Sequence, residues 1–377
     1  MKTLLLAFDS FKGSLTSCEV ADAFEEGVRS VLPDCTVKKV CMADGGEGTA
    51  ETLVSSLRGE WVDVEVLDPL MRPIHARYGV VDDGRTAVIE MASASGLTLL
   101  TEEERNPLKT STYGTGQLIT DALKRGCRKL LIGIGGSATN DAGIGMLSAL
   151  GFRFLDAEGR PLDGCGESLE RIATIDTSHI LPELESVDIR VACDVTNLFC
   201  GPQGAAYIFA PQKGADKQMV ERLDRGMHHF ATIIKQYSKV DVTQTPGAGA
   251  AGGLGGAFSA LLGAPLCRGV ELVLDALHFD ELLEGCDLVV TGEGRIDRQT
   301  LMGKAPMGVL KAATRRGIPV VAIGGSVEHS PELSQSGFSS ILSINADGLP
   351  LHLAMRPDVA RENVKRIALN LLLNSNW

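Results

Sequence analysis

The chain is poor in the features that mark secreted, membrane-bound or nucleic-acid-binding proteins. Aromatic residues make up only 5% of its 377 positions, so its cores must be filled with aliphatic side chains. Its nine cysteines contain no CxxC pair. An odd, scattered set in a long chain reads as reduced, mostly buried thiols, neither a disulfide framework nor a zinc site. Basic charge is in deficit: 36 Lys and Arg against 48 Asp and Glu give a formal net charge of −12. That balance excludes the broad basic face that nucleic acid or an anionic membrane needs, and leaves room for a local cationic pocket. No apolar run approaches the ~20 residues of a membrane span. The run 4–8 is broken by Asp9 and is shorter than a secretory leader requires, so the expected setting is the cytoplasm. Sequence motifs are missing too. Gly303-Lys304 is followed by Ala305, and position 298 is Arg, so there is no P-loop. The first strand is not followed by GxGxxG, and neither HExxH nor GxSxG occurs.

What the chain has in excess is glycine, 43 residues gathered in a few clusters, which points to special backbone turns. With 44% hydrophobic and 22% charged residues the composition is globular, and the length predicts two domains. Residues 3–7 read as a buried strand. Thr16 and Glu19 form a capping-box signature ahead of a helix carrying Val20, Ala23, Phe24, Val28 and Val31. A strand at 37–41, a helix around Ala50, Leu53, Val54 and Leu57, and a third strand at 61–66 follow, a βαβαβ order that predicts a parallel sheet. The same alternation returns late, with strands at 287–291, 319–323 and 339–344 and helices at 305–316 and 358–373. Between these lie a hairpin at 76–90 with Asp82-Asp83-Gly84 as its turn, and a second hairpin at 152–159. Helices at 115–124 and 216–237 and strands at 129–134 and 189–193 complete the middle. The predicted architecture is an α/β domain built from both chain ends, 1–70 and 281–377, with a mixed-sheet α/β domain inserted over 71–280. Two consecutive domains dividing near 180 form the alternative.

Open α/β sheets bind ligands beyond the carboxyl ends of their strands, so the residues after each strand carry the functional reading. The first strand is followed by Asp9-Ser10-Phe11-Lys12 and the second by Asp44-Gly45-Gly46-Glu47-Gly48-Thr49. Gly292-Glu293-Gly294-Arg295-Ile296-Asp297 follows 287–291, with Lys304 at the next helix start, and Gly324-Gly325-Ser326 follows 319–323. The last is equally readable as an ordinary turn; two acids and three glycines in 44–49 exceed what a turn requires. The middle adds Gly135-Gly136-Ser137-Ala138-Thr139-Asn140-Asp141 between a strand and a helix, Asp194 at a strand tip, and Pro211-Gln212-Lys213-Gly214. The run 246–256, PGAGAAGGLGG, is either a further cradle or a linker or helix-packing seam. Glycine amides that can cradle anions, carboxylates that can hold Mg²⁺ and a few lysines suit phosphoryl transfer.

At these loops the chain resembles the bacterial glycerate kinase family (type I). The resemblance runs from Asp9-Ser10-Phe11-Lys12 and 43–49 through 136–141, Cys193-Asp194-Val195, 211–215 and 246–253 to 291–297 and Gly303-Lys304-Ala305-Pro306. It implies a Rossmann- or flavodoxin-like domain with a second α/β domain inserted. It also implies Mg²⁺-dependent transfer of the γ-phosphoryl group of ATP to D-glycerate, with 2-phosphoglycerate, the product of close relatives, as the expected product. Phe8, Ala142 and Leu198-Phe199 depart from the family's usual Pro, Gly and Pro-Leu; an alanine at 142 matters where the backbone needs positive φ.

The expected catalytic groups are Asp194, Lys12 and Asp44, with Asp194 as the base. Asp194 and Glu293 are also the expected metal ligands. Ser10, Gly45, Gly46, Glu47, Gly48, Thr49, Gly135, Gly136, Ser137, Thr139, Asn140, Asp141, Gly249, Gly252, Gly253, Gly292, Gly294, Asp297 and Lys304 are expected to bind substrate or nucleotide, in a cleft between the two domains. Partners are expected to be small molecules, with no nucleic acid or membrane. The sequence leaves open homo-oligomerisation, the product's regiochemistry, and which loop takes ATP. A kinase for another small hydroxy acid, or a non-catalytic protein that binds a phosphorylated metabolite, are the competing readings.

Overall fold

Leu4, Leu5, Leu6, Ala7 and Phe8 are wholly buried, as an apolar strand covered on both faces must be. They form the first of thirteen strands in the computed structural model, which describes residues 2–46 and 48–374. In chain order these are β1 Thr3–Phe8, β2 Thr36–Cys41, β3 Glu60–Leu67, β4 Pro73–Val81, β5 Thr86–Glu90, β6 Lys129–Gly133 and β7 Arg153–Leu155. There follow β8 Thr174–Asp176, β9 Asp188–Ala192, β10 Leu266–Cys267, β11 Leu288–Ile296, β12 Val320–Val327 and β13 Ser340–Ser343. The chain divides into two compact units, Met1–Asp44 with Val270–Trp377, and Gly45–Gly269.

The first unit holds a five-stranded sheet in the order β13-β12-β11-β1-β2, parallel throughout. Read from β2, this is the flavodoxin-like order 2-1-3-4-5, whose direction of winding reverses between β1 and β11. Helix α1, Ser17–Val31, begins with the expected capping box: the Thr16 side chain accepts from Glu19 N, and Glu19 accepts from Thr16 N at 2.8 Å. Its buried face includes Val20, Ala23, Phe24 and Val28, and Phe24 packs on Phe8 with ring centroids 5.6 Å apart. Gly27 meets the last helix, Pro357–Asn374, so closely that a Cβ would stand 2.6 Å from Lys365 O and 2.8 Å from Ala368 Cβ.

The second unit is built on a six-stranded mixed sheet, β10-β9-β6-β5-β4-β3. β3, β4 and β5 are antiparallel neighbours, whereas β5, β6, β9 and β10 run parallel. The turn between β4 and β5 has Asp82, Asp83 and Gly84 all at positive φ, as the hairpin reading requires.

Four local readings change. The strand at 61–66 belongs to the mixed sheet, paired antiparallel with β4; a lone strand carries no mark of which sheet it joins. The stretch 292–296 is strand, with Glu293 and Arg295 in register with Gly324 and Ser326 of β12. Its glycines made it look like a loop, yet parallel pairing extends through them. The 152–159 turn exists, but β7 pairs with β8 from 174–176 and touches Pro161 only through an isolated bridge. Finally, Cys18 and Cys41, with Cα atoms 5.6 Å apart, are joined by a disulfide, while seven cysteines are thiols. The crossover from α1 to β2 brings the pair together, which their spacing in sequence does not reveal. No described helix is long and apolar enough to cross a membrane.

Because the contact at Gly27 is against backbone, its neighbour can yield only by moving a whole helix. Gly27→Val should therefore destabilise the first unit by about 2 kcal/mol, read as a melting temperature several degrees lower by calorimetry. An unchanged transition would show that the two helices separate freely.

Candidate active site

The parallel sheet of the first unit positions a cavity of about 570 Å³ at the carboxyl ends of its strands. At the switch between β1 and β11, Thr291 Oγ1 donates to Ala7 O (2.6 Å) and Asp9 N donates to Gly292 O (2.9 Å). This pairing sets Asp9 beside β11 just beyond the end of β1. The cavity gathers the carboxylates of Asp9, Asp44 and Glu293 with the amines of Lys12 and Lys304. Ile344, Leu351 and Met355 supply an apolar wall, and Ser10, Gly294 and Asn345 also line it.

Its electrostatics follow from crowding like charges in a buried place. Asp9 is 9% exposed; burial, and then the charges of Asp44 and Glu293, push its carboxyl up to about 7, against the lowering effect of a hydrogen bond from Ser10 N. Burial likewise raises Glu293, opposed by the Thr300 hydroxyl, which donates to it at 2.6 Å, and by Lys304 Nζ at 3.2 Å. Asn345 Nδ2 donates to Gly325 O (2.7 Å) and is held by Asn363, whose Nδ2 donates to Asn345 Oδ1 at 2.9 Å.

The second unit has its own glycine-lined cavity, of about 370 Å³, at the ends of β6 and β9. Gly45, Gly46, Gly135, Gly136 and Ser137 border it, with Asp194 and Lys213. A neighbouring cavity of about 310 Å³ shares those four glycines and reaches Glu90. Asp194 accepts from Gly269 N at 3.0 Å. Gly45 has φ +91° and lies so near Gly269 that a Cβ would stand 2.1 Å from its Cα, so only glycine fits there.

Behind this cavity lies a buried framework. Asp141 is completely buried and accepts from Thr112 N and Oγ1 (both 2.7 Å), Gly143 N (3.0 Å) and Gly145 N (3.3 Å). Burial raises its carboxyl against the pull of those donors. Thr139 and Asn140 are wholly buried beside it. The glycine run packs against this loop. A Cβ on Gly252 would meet Thr139 O at 2.1 Å, and Gly252 O accepts from Ala142 N at 2.9 Å. Ala142 does adopt a positive φ of 51°, a conformation disfavoured for alanine.

Of the expected site residues, Ser10, Lys12, Asp44, Glu293, Gly294 and Lys304 meet in the first cavity. Gly45, Gly46, Gly135, Gly136, Ser137 and Asp194 meet in the second. Thr139, Asn140, Asp141, Gly249, Gly252 and Gly253 are buried behind the second cavity's wall, and Gly292 is buried within β11. Thr49 begins the helix Thr49–Ser56, with its hydroxyl donating to Gly46 O at 2.8 Å, and Gly48 caps that helix at φ +86°. Asp297 accepts from Gln299 N and pairs with Arg295. Glu47 lies outside the described residues. Asp194 and Glu293 fall in different units, and among the described residues no group of three or more His, Cys, Asp or Glu is spaced to hold a metal. Asp9, Asn345 and Lys213 had no assigned role. For Asp9 the signal was present: it is the first acid beyond a strand.

A model of the glycerate kinase family matches residues 4–374. The chain is 46% identical over 378 residues to glycerate kinase of Halalkalibacterium halodurans, covering 100% of this chain and 99% of that protein. It is 45% identical over 369 residues to glycerate 2-kinase of Escherichia coli, covering 98% and 96%. A crystal structure of a protein described as glycerate kinase 2 from Salmonella typhimurium LT2 superposes with a TM-score of 0.90 at 46% identity, over 99% of this chain and 97% of that one.

The crowding at Asp9 sets a pH dependence. Its folded-state carboxyl titrates near 7 rather than the ordinary 3.8, so folding opposes its charge. The penalty is absent below pH ~4, where both states are protonated, and complete above ~7. In chelator, Asp9→Asn should raise the melting temperature at pH 8 by about 4 °C or more, and by nothing at pH 4. Equal shifts at both pH values would refute the assignment.

Proposed function

The chain belongs to the glycerate kinase family, and from that premise we propose that it transfers the γ-phosphoryl group of ATP to the 2-hydroxyl of D-glycerate, giving 2-phosphoglycerate. Small-molecule chemistry in the cytoplasm agrees with the acidic composition. The observation that carries the reading is the switch-point cavity of the first unit, where two lysines and three carboxylates line one space. We assign the nucleotide to it. The apolar wall of Ile344, Leu351 and Met355 suits a base, and Lys12 and Lys304 offer charge to phosphates.

Oxygen donors that repel one another in a buried site fit a hard divalent cation. No three acids among the described residues are spaced to hold a metal by themselves, so one or two of Asp9, Asp44 and Glu293 would hold Mg²⁺ there together with phosphate oxygens, and bound Mg²⁺ would offset phosphate charge. Asp194, first expected as a metal ligand or base, takes the role of base in this reading. The hydroxyl oxygen attacks the γ-phosphorus, the bond from that phosphorus to the bridging oxygen of ADP breaks, and the hydroxyl proton passes to Asp194.

A coupled ADP-release assay tests the reaction. Turnover is expected with D-glycerate and not with L-lactate or glycerol, lost in chelator and restored by Mg²⁺. An enolase-coupled assay should detect the product directly, since enolase acts on 2-phosphoglycerate; a product that first needs phosphoglycerate mutase would overturn the regiochemistry. Asp194→Asn should fold and bind ATP yet lose about 10²-fold or more in kcat. Recovery of that variant at high Mg²⁺ would make Asp194 a metal ligand instead.

A further inference from the structure

Lys213 takes no part in the steps above. It closes a short helical turn, Pro211–Lys213, and is 2% exposed, a burial that lysine rarely tolerates without a matching charge. Its Nζ donates to Ser137 Oγ at 2.7 Å and to Thr139 O at 2.6 Å, and both acceptors are uncharged. Asp141 is the opposing charge that acts on it, but that carboxylate already accepts four hydrogen bonds from Thr112, Gly143 and Gly145. Burial pushes the amine down to about 7. A charged ammonium has three protons, and two bonds leave one. Lys213 also lines the 370 Å³ cavity, and both hydrogen-bond acceptors of its Nζ are uncharged oxygens.

We propose that the Lys213 ammonium is the carboxylate-binding group of the second unit's cavity, holding a small hydroxy acid by its carboxylate with its hydroxyl toward Asp194. This rests on the reading that the acceptor is such an acid. Asp194 and Lys213 are the two charged side chains among the described residues lining the cavity; Leu97, Ile134 and Phe209 are among its apolar ones. A hydroxy acid presents a carboxylate and a hydroxyl to be bound, matching one buried cation and one exposed carboxylate. Apolar walls strengthen a single ionic contact by keeping water away. The Gly135–Ser137 loop, which Lys213 braces through Ser137, contributes space where side chains would intrude. The rival occupant with the same oxyanion chemistry is a nucleotide phosphate.

The test is steady-state kinetics of Lys213→Met and Lys213→Arg, with each substrate varied in turn. The expected result is a KM for D-glycerate raised about 30-fold or more in Lys213→Met, partly restored in Lys213→Arg, with the KM for ATP within twofold of wild type. A KM change confined to ATP would reassign the cavity to a phosphate and overturn the carboxylate. A fall in kcat with both KM values unchanged would reduce Lys213 to a strut beneath the loop. Should the variants fail to fold, acylation of wild-type amines mapped by peptide mass spectrometry decides. Saturating D-glycerate should slow labelling of Lys213 at least threefold and ATP should not; no protection by D-glycerate overturns the proposal. Absence of any turnover by wild type with D-glycerate would instead remove the premise about the reaction.

Discussion

The parallel pairing of β1 with β11 joins Leu4 to Leu288 and Ala7 to Thr291, partners separated by 284 positions in the chain. Everything chemical in the first unit depends on it. The sheet can present Asp9 beside Glu293 only because the end of β1 lies against β11, and the winding reverses there, leaving a crevice that no crossover helix fills. Burial in that crevice is what makes an ionised Asp9 costly beside Asp44 and Glu293. The same pairing carries Lys12 and Lys304, which no sequence window could bring near each other.

The second unit solves a similar problem with different parts. Its glycine loops follow β6 and the turn into Thr49–Ser56, and they keep their shape through a buried scaffold rather than through the loops' own sequence. Asp141 ties four backbone and hydroxyl donors, and the glycine run gives up side chains so that its backbone can lie on Thr139 and Asn140. Several residues that look like ligand groups in sequence are therefore buried in this framework. Burial of Asp141, Asn140 and Thr139 separates that role from the cavity-lining one of Gly135, Gly136 and Ser137.

Local signals were legible where local physics decides the outcome. The capping box at Thr16, the apolar strand at 3–7 and the Asp82-Asp83-Gly84 turn follow from hydrogen bonding, burial and φ requirements within a few residues. The parallel-sheet domain built from both ends, with a mixed sheet inserted, could be read from the alternation of strands and helices. Sheet membership was not legible for β3, because antiparallel pairing with β4 is a property of two segments, and glycine-rich β11 imitated a loop. At the site, the acids and lysines stood out, but the difference between lining a cavity and propping its wall depends on burial. Lys213 stands out in sequence only as part of Pro211-Gln212-Lys213-Gly214, whereas what distinguishes it is an Nζ buried against two uncharged oxygens.

The long reach between β1 and β11 also orders events during synthesis. Residues 45–269 form a continuous stretch whose described strands all pair within it, so its sheets can assemble as soon as it has emerged from the ribosome. The first 44 residues have no such option: β1 stays an unpaired apolar edge on one side until residue 288 and beyond are made, and β12 and β13 come later still. Such an exposed edge is a template for the wrong strand. β2 and α1, neighbours in sequence, cover one edge and one face of β1 in the interval, and the nascent chain carries the loop of Asp9 to Leu15, closed by the bond from Phe11 N to Leu15 O, before the rest of its sheet exists.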